Sequence, residues 1–412
     1  MAAASLVGGR TSIFKRIVLG LLSGMTHGFM RIAMPDGEIL ELGDKDSPFK
    51  AAIRIVRDSF FRKCVLYGDV GFGEAYVDGD WDTDSVSAVI KWFLLNVENA
   101  PTISGSRKKF IAGNFLKVFN RVYHKLRSNN IRGSRNNIAE HYDLSNEFFK
   151  LFLDETMTYS SAFFSRTDET LKSAQLEKYD LLCRKLKIQS SDHLLEIGSG
   201  WGGFALYAAR KYGCRITTTT ISEEQYAYAT ELFRREHLDN LIEIRLADYR
   251  TLTGSYDKIV SIEMLEAVGH EYLETYFAKC NELLKKNGVL AFQVITCADS
   301  RYESLRKNID WIQKHIFPGS LLPSVGALNR AINHTGDMVM RHMEEFGLSY
   351  ARTLAQWREN FHGRLEQVRM LGFDERFIRK WNYYLSYCEG AFAMRNISVV
   401  QLVYTRPNNL SY

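Results

Sequence analysis

From about residue 191 onward, short apolar runs alternate with longer segments in which apolar residues recur every three or four positions. Residues 194–197, 215–220, 242–246, 258–262 and 289–295 are predicted strands, and 203–212, 223–236 and 271–284 are predicted helices between them. Repeated strand–helix units imply an α/β fold, a parallel sheet doubly wound by helices on both faces. The upstream pattern differs. An amphipathic stretch covers 12–26, and two extended runs within 29–42 are parted by Met34-Pro35-Asp36-Gly37-Glu38, whose Asp-Gly pair signals a hairpin. Residues 51–65 have helical spacing, 68–80 carry Gly68, Gly71, Gly73 and Gly79 and are predicted to be a loop, and 85–95 form a second apolar helix pattern. Three parts are expected: a small mixed α/β domain over 1–100, a connecting segment over 101–136 and a catalytic domain over 137–412.

The 412 residues are 46% AVILMFWYC and 25% charged, which excludes a disordered chain and leaves room for two or three packed domains. Charge changes the picture at one place. Fifty-three Lys and Arg less 48 Asp and Glu give +5, yet Arg107, Lys108, Lys109, Lys117, Arg121, Lys125, Arg127, Arg132 and Arg135 put nine cations into 101–136, where there is no acidic residue. The remainder is +5 minus 9, or −4. Phe110, Ile111, Phe115, Leu116, Val118, Phe119, Val122 and Tyr123 are interleaved with these cations. The mixture suits an interfacial helix whose apolar side enters the headgroup boundary while its cations meet an anionic membrane surface. A helix that packs its apolar stripe on the protein and wets its charged side is the plain alternative. Confinement of the charge to one stretch argues against a nucleic-acid partner. The apolar run at 17–25 is nine residues long, whereas a membrane span needs roughly 20, and no small-residue cleavage site follows it. A cytoplasmic protein is expected. Cys64, Cys183, Cys214, Cys280, Cys297 and Cys388 form no C-x-x-C pair and accompany no His cluster, so they read as reduced thiols and no metal site is expected.

One loop carries candidate chemistry. Leu194-Leu195-Glu196-Ile197-Gly198-Ser199-Gly200-Trp201-Gly202-Gly203 reads as a strand, a glycine turn and a helix start, and Gly198, Gly200 and Gly203 satisfy G-x-G-x-x-G. A dinucleotide enzyme would place an acidic residue about 20 positions on to hold a ribose. That place is taken by Thr217-Thr218-Thr219-Thr220, and the acid precedes the glycines as Glu196. This arrangement resembles the first motif of class I methyltransferases, which bind S-adenosylmethionine.

Five further motifs narrow the resemblance. They are His141-Tyr142-Asp143-Leu144-Ser145-Asn146-Glu147-Phe148-Phe149, Met157-Thr158-Tyr159-Ser160-Ser161-Ala162-Phe163-Phe164, Met264-Leu265-Glu266-Ala267-Val268-Gly269-His270, Ile316-Phe317-Pro318-Gly319-Ser320-Leu321-Leu322-Pro323-Ser324 and Cys388-Glu389-Gly390-Ala391-Phe392 ahead of a last strand. In this order they resemble the cyclopropane-fatty-acyl-phospholipid synthase family, with its relatives the mycolic acid cyclopropane synthases and fatty-acid C-methyltransferases. The resemblance runs from about residue 28 to 406 and implies a class I methyltransferase Rossmann-like sheet behind a small N-terminal lipid-engaging domain. It also implies methyl transfer from S-adenosylmethionine to a double-bond carbon of an unsaturated acyl chain in membrane phospholipid. Such a protein would be peripheral at the inner face of the membrane, and a homodimer is plausible.

The resemblance implies site residues as well. Gly198, Gly200 and Trp201 match the cofactor loop; Tyr142, Tyr159 and Ser160 match positions that close over the methionine and sulfonium end. Thr220 and Gln225 match the ribose side, and Asp248 and Tyr249 lie where adenine is bordered. A bound bicarbonate is the implied base, with Glu266, Tyr350 and the Ile295 backbone at matching ligand positions. Here the chain departs from the family: Ser161 stands at the Cys position, Gln293 at the His position, and Glu263 where a small residue is usual. Ser161 and Gln293 still donate hydrogen bonds to an anion, without the charge a His can carry; Glu266 itself, or Glu263, is the alternative base, a solvated or paired carboxylate being the plainer reading of Glu263. Cyclopropane formation is the first product expected, a methylene or methyl-branched chain the second, and a lipid-binding relative without turnover the alternative from another class.

Overall fold

The computed structural model describes residues 12–99, 144–410 and 412. They fall into two compact units, one of residues 12–99 together with Glu375–Tyr383 and one of the remainder. The connecting segment 101–136 and Tyr142 lie outside the described residues.

In the first unit α1 (Ile13–Leu22) starts at Ser12, whose hydroxyl accepts the Phe14 N–H. The predicted hairpin is present: β1 (Phe29–Ala33) pairs antiparallel with β2 (Ile39–Gly43), and Gly37 in the turn has φ of 86°. The predicted helix at 51–65 is present only from Ser59 onward. Its first part is β3 (Lys50–Ile55), which buries every second residue and runs parallel to β1, so the pattern there has period two. The predicted glycine loop is mostly helix. α2 (Ser59–Val77) continues across a kink at Gly68, where φ is 61° and ψ −132°. A Cβ on Gly71 would stand 2.1 Å from the Lys63 carbonyl oxygen, so this glycine permits close approach across the kink and marks no loop. β4 (Trp81–Asp82) completes the sheet in the order β2-β1-β3-β4, and α3 (Val86–Leu95) follows its Ser85 cap. Arg379, from near the end of the chain, donates to the carbonyls of Tyr76 and Trp81 and lies over the Tyr76 ring at 4.1 Å. Contacts of this kind tie Glu375–Tyr383 to this unit, although the sequence runs the catalytic domain unbroken from 137.

The second unit runs through α4 (Asn146–Lys150), α5 (Leu171–Leu186), β5 (His193–Ile197), α6 (Gly203–Tyr212), β6 (Arg215–Thr220), α7 (Glu223–Arg235), β7 (Ile242–Leu246), β8 (Tyr256–Ile262), α8 (Leu273–Leu283) and β9 (Leu284–Cys297). It continues with α9 (Asp299–Lys307), α10 (Trp311–His315), α11 (Val325–Thr335), β10 (Val339–Glu345), α12 (Gly347–His362), α13 (Leu365–Met370), α14 (Glu375–Ala393), whose first nine residues belong to the first unit, and β11 (Ile397–Thr405). The sheet order is β10-β11-β9-β8-β5-β6-β7. Neighbours from β9 to β7 are parallel, and β11 runs against both β9 and β10. All five predicted strands are present within a few residues. From β5 the chain winds outward to β6 and β7, then returns to β8 on the other side of β5. The strand order therefore reverses beside β5, where open α/β sheets place their ligands.

Alternate residues of the buried strands feed two cores. Leu195, Ile259, Leu290 and Phe292 pack with Tyr276, Phe277 and Leu328 in one cluster, whereas Leu194, Val260, Val289 and Ala291 pack with Leu182, Phe204 and Ala208 in the other. Both faces of the sheet are covered, as the apolar runs require. No helix among the described residues is long and apolar enough to cross a membrane.

Candidate active site

After β5 the chain turns through Gly198, Ser199, Gly200 and Trp201 into α6. The N–H groups of Gly198 and Ser199 both donate to the Thr219 carbonyl, at 3.0 and 2.8 Å, which ties the turn to the end of β6. Gly198, Gly200 and Gly202 have φ of 96°, 49° and 92°. A Cβ on Gly202 would stand 2.8 Å from the Phe233 ring and one on Gly203 2.7 Å from the Tyr179 hydroxyl, whereas one on Gly200 would meet nothing within 4 Å. Residues 202 and 203 are thus small for packing. Gly200 faces open space beside the start of α6, a cradle that fits a ligand approaching the backbone.

The other predicted cofactor residues gather along the same crest. Trp201 Nε1 donates to Asn146 Oδ1 at 2.6 Å, and its ring lies 4.9 Å from Phe149. Thr220, the last residue of β6, donates to Gln225 Oε1 at 2.8 Å and accepts the Ser222 N–H at 3.1 Å, which holds the start of α7 against the strand end. Asp248, just past β7, accepts from Arg250 through both carboxylate oxygens at 2.8 and 2.7 Å, and Tyr249 meets Tyr276 edge-on at 5.2 Å. Glu196 and Ser160 are buried against protein partners. The Glu196 carboxylate accepts from Thr218, and burial lifts its carboxyl to about 8. Ser160 Oγ accepts from the Lys178 ammonium at 2.7 Å, and its carbonyl accepts from Gln175 at 2.9 Å. Gln175 and Lys178 are three apart on α5, so one helix face grips this segment.

A second cluster forms where β8 and β9 end. Glu263 follows β8 with φ of 51°, a left-handed conformation that costs a residue with a Cβ about 1 to 2 kcal/mol. Its Oε1 accepts the Ser161 N–H at 2.9 Å and Gln293 Nε2 at 2.7 Å, and its Oε2 accepts the Tyr350 hydroxyl at 2.6 Å. Three donors from distant segments hold one carboxylate. Gln293 is fixed in turn by Gln401, which donates to its Oε1 at 3.1 Å. Glu266 lies alongside: its Oε1 accepts the Ile295 N–H at 2.6 Å, and its Oε2 is buried without a hydrogen-bond partner.

Burial raises both carboxyl groups. For Glu263 the Tyr350 hydroxyl, the Lys178 charge, the Ser161 N–H and Gln293 oppose that rise, whereas Glu266 faces the charge of Glu263 and is pushed to about 8. In this pair the charge of Glu263 favours the proton on Glu266. Burial also lowers the Lys178 amine to about 7, against the pull of Glu263, Asp154 and Glu196. The Tyr350 hydroxyl is raised well above 10 by burial and by Glu263, so it remains a donor.

All five residues expected around bicarbonate, Ser161, Glu266, Gln293, Ile295 and Tyr350, come together here. The anion itself does not fit this arrangement. Tyr350, Gln293 and the Ser161 N–H already hold the Glu263 carboxylate, and the Ser161 hydroxyl, expected to face an anion, donates instead to the Ala162 carbonyl at 2.9 Å. Sequence reasoning offered Glu266 or Glu263 as a base, with a solvated or paired carboxylate as the plainer reading of Glu263, and missed Lys178. The one visible signal was the carboxylate at a position the family keeps small.

Between the glycine turn and this cluster runs a continuous aromatic wall. Trp201 touches Phe149; Phe149 meets Tyr159 at 5.3 Å; Tyr159 meets Trp357 at 5.3 Å; Trp357 meets Tyr350 at 6.2 Å; and Tyr350 stacks on Phe392 at 4.4 Å. The Tyr159 and Tyr384 hydroxyls share a 2.8 Å hydrogen bond.

A doubly wound sheet with an open glycine cradle at its switch point and polar residues on the next two strand ends suits a nucleotide-like cofactor, and likeness to the mycolic acid cyclopropane synthases makes the protein a class I S-adenosylmethionine-dependent methyltransferase. Solved structures agree: the cyclopropane synthase MmaA2 from Mycobacterium tuberculosis matches with a TM-score of 0.61 and 29% identity, covering 66% of this chain and 98% of that one. A mycolic acid cyclopropane synthase, CmaA1, complexed with SAH and CTAB matches with the same TM-score of 0.61 at 30% identity, covering 66% of this chain and 98% of that one. The family model for mycolic acid cyclopropane synthetase matches residues 129–402, and the chain belongs to that family. Among relatives, a tuberculostearic acid methyltransferase of Mycobacterium tuberculosis is 36% identical over 91% of this chain and 87% of its own length. A cyclopropane-fatty-acyl-phospholipid synthase of Escherichia coli is 37% identical over 86% of this chain and 88% of its own.

Proposed function

We propose that this enzyme transfers the methyl of S-adenosylmethionine to a double-bond carbon of an unsaturated acyl chain in membrane phospholipid and closes a cyclopropane. The carrying observation is the aromatic wall that runs from Trp201 in the cofactor turn to Tyr350 beside the buried carboxylates. A neutral alkene needs no base to become a nucleophile; it needs proximity, a water-poor site and relief of the positive charge that appears on carbon. Aromatic faces supply that relief at about 0.5 to 2 kcal/mol each. Gly198, Gly200, Trp201, Thr220 and Gln225 hold the cofactor, with Tyr159, Ser160, Glu196, Asp248 and Tyr249 bordering it, and the Glu263 and Glu266 cluster receives the proton that must leave.

A methylene or methyl-branched product is the second reading, favoured by the departure at Glu263 and by a relative named for tuberculostearic acid. Incubation of unsaturated phospholipid vesicles with methyl-labelled cofactor, followed by gas chromatography with mass detection of the acyl chains, separates the two. A ring product sinks the second reading and an exocyclic methylene the first; cofactor binding without label in any lipid marks a silent lipid-binding relative. In the cell the enzyme works as a peripheral protein at the inner face of the membrane, held to anionic lipid by the cations of 101–136, and as a homodimer.

A further inference from the structure

We infer that Glu263 is a built-in general base: its carboxylate stands in the protein where a bound bicarbonate would otherwise be needed. The inference rests on the proposed methyl transfer to an alkene. Three observations carry it. Both oxygens of Glu263 are held by the donors that would hold an anion, Tyr350 Oη at 2.6 Å, Gln293 Nε2 at 2.7 Å and the Ser161 N–H at 2.9 Å. The residue is kept at φ of 51°, and such strain persists only where the surroundings impose it. Glu263 as a residue is also partly accessible, whereas Ser161 and Gln293, two of its donors, are wholly buried.

The exchange of residues follows from electrostatics. A positively charged His would bind a free anion well, but a fixed carboxylate needs only neutral donors to orient it and a nearby cation to keep it ionised. Gln293 and Tyr350 are the neutral donors, and the buried Lys178, when protonated, is the cation that opposes the rise of Glu263. In the reaction the alkene π pair forms the bond to the methyl carbon as the sulfur–methyl bond breaks and its pair stays on sulfur. Positive charge is left on the neighbouring chain carbon. Glu263 then takes a proton from the transferred methyl, and that C–H pair closes the ring; after a hydride shift toward the cation, the same proton loss gives the methylene. Either way Glu263 ends as a carboxylic acid and no dissolved base is consumed.

The test compares methyl incorporation into unsaturated phospholipid vesicles in bicarbonate-free, argon-flushed buffer and after addition of bicarbonate. Wild-type turnover should agree between the two within about twofold, and ¹³C-bicarbonate should show no protein-bound NMR signal. Glu263→Gln, with cofactor affinity by calorimetry as its folding check, should fall at least a hundredfold. Glu263→Gly, which suits the positive φ, should be equally slow alone and gain at least tenfold from bicarbonate or formate. A tenfold wild-type loss on bicarbonate removal, a bound ¹³C signal, a folded Glu263→Gln that keeps a tenth of the rate without bicarbonate, or a folded Glu263→Gly unresponsive to both anions would overturn the inference. Absence of wild-type methyl incorporation under every condition would instead overturn the proposed reaction.

Discussion

Tyr350, 87 residues beyond Glu263 in the chain, donates its hydroxyl to Glu263 Oε2 at 2.6 Å while its ring stacks on Phe392. The same ring belongs to the aromatic wall, so a single side chain is shared by the wall and the carboxylate cluster. Tyr350→Phe keeps the ring and removes the donor. Loss of a hydrogen bond to a charged group is worth about 1.5 to 3 kcal/mol, which corresponds to roughly a ten- to hundredfold loss of turnover. Because that donor lowers the proton affinity of Glu263, its removal should also move the acid limb of the rate profile to higher pH. Rates at pH 6 and 8 check both: the variant should lose more at pH 6, and an equal loss at both pH values would contradict an ionised Glu263.

The two glycines of the cofactor turn should separate binding from stability. Gly200→Ala places a Cβ in open space at φ of 49°, so the fold loses only about 1 to 2 kcal/mol of conformational strain while the cradle is filled. Gly202→Ala has comparable strain and also drives a Cβ to 2.8 Å from Phe233. Calorimetry should find cofactor affinity at least tenfold weaker in Gly200→Ala, and thermal melting should find Gly202→Ala the less stable of the two. The reverse order in either measurement would show the turn's open side to be misassigned.

Much of this was legible from local pattern. The five strands, the helices between them and the turn at Gly198 and Gly200 follow from periodicity and spacing, because a strand buried on both faces and a glycine turn declare themselves within ten residues. Errors arose where tertiary contact decides. Residues 50–55 alternate because they join a sheet through β1, and Gly71 serves a close approach inside a kinked helix; short windows read the first as helix and the second as loop. The charged centre was legible only in part. Glu263 meets Ser161 and Tyr350 across 102 and 87 residues, and Lys178 is buried by a segment 18 residues away, so no spacing rule ties these charges together.

Glu196 gives the protein a pH signature independent of catalysis. Burial lifts its folded-state carboxyl from 4.5 to about 8, with the Thr218 hydrogen bond and Lys178 opposing. Between those values the folded chain binds more protons than the unfolded one, so stability is greatest below the unfolded value and falls as pH rises toward 8. One such group contributes a slope of up to about 1.4 kcal/mol per pH unit. Glu196→Gln keeps an oxygen acceptor for Thr218 and cannot ionise. Urea unfolding at pH 5 and 7 should show a smaller stability loss in the variant than in the wild type, and parallel behaviour would mean that Glu196 is solvated in the folded state.

The basic stretch accounts for more than the whole net charge of the chain, and its role separates two behaviours of one protein. Lys108, Lys109, Lys117 and Arg121 sit among Phe110, Phe115 and Phe119, the composition of a segment that lies in a headgroup layer. Each cation near an anionic surface is worth about 1 kcal/mol, so neutralising four with Gln should weaken binding to anionic vesicles by up to about a thousandfold at low salt. Among the described residues the cofactor turn is held by Thr219 and Asn146. Cofactor affinity should therefore be unchanged, whereas activity on phospholipid vesicles should fall with vesicle binding and recover when substrate is presented in neutral detergent. Vesicle sedimentation and calorimetry on the same preparation decide the matter: unaltered sedimentation would return the stretch to a helix that packs on the protein and wets its charges.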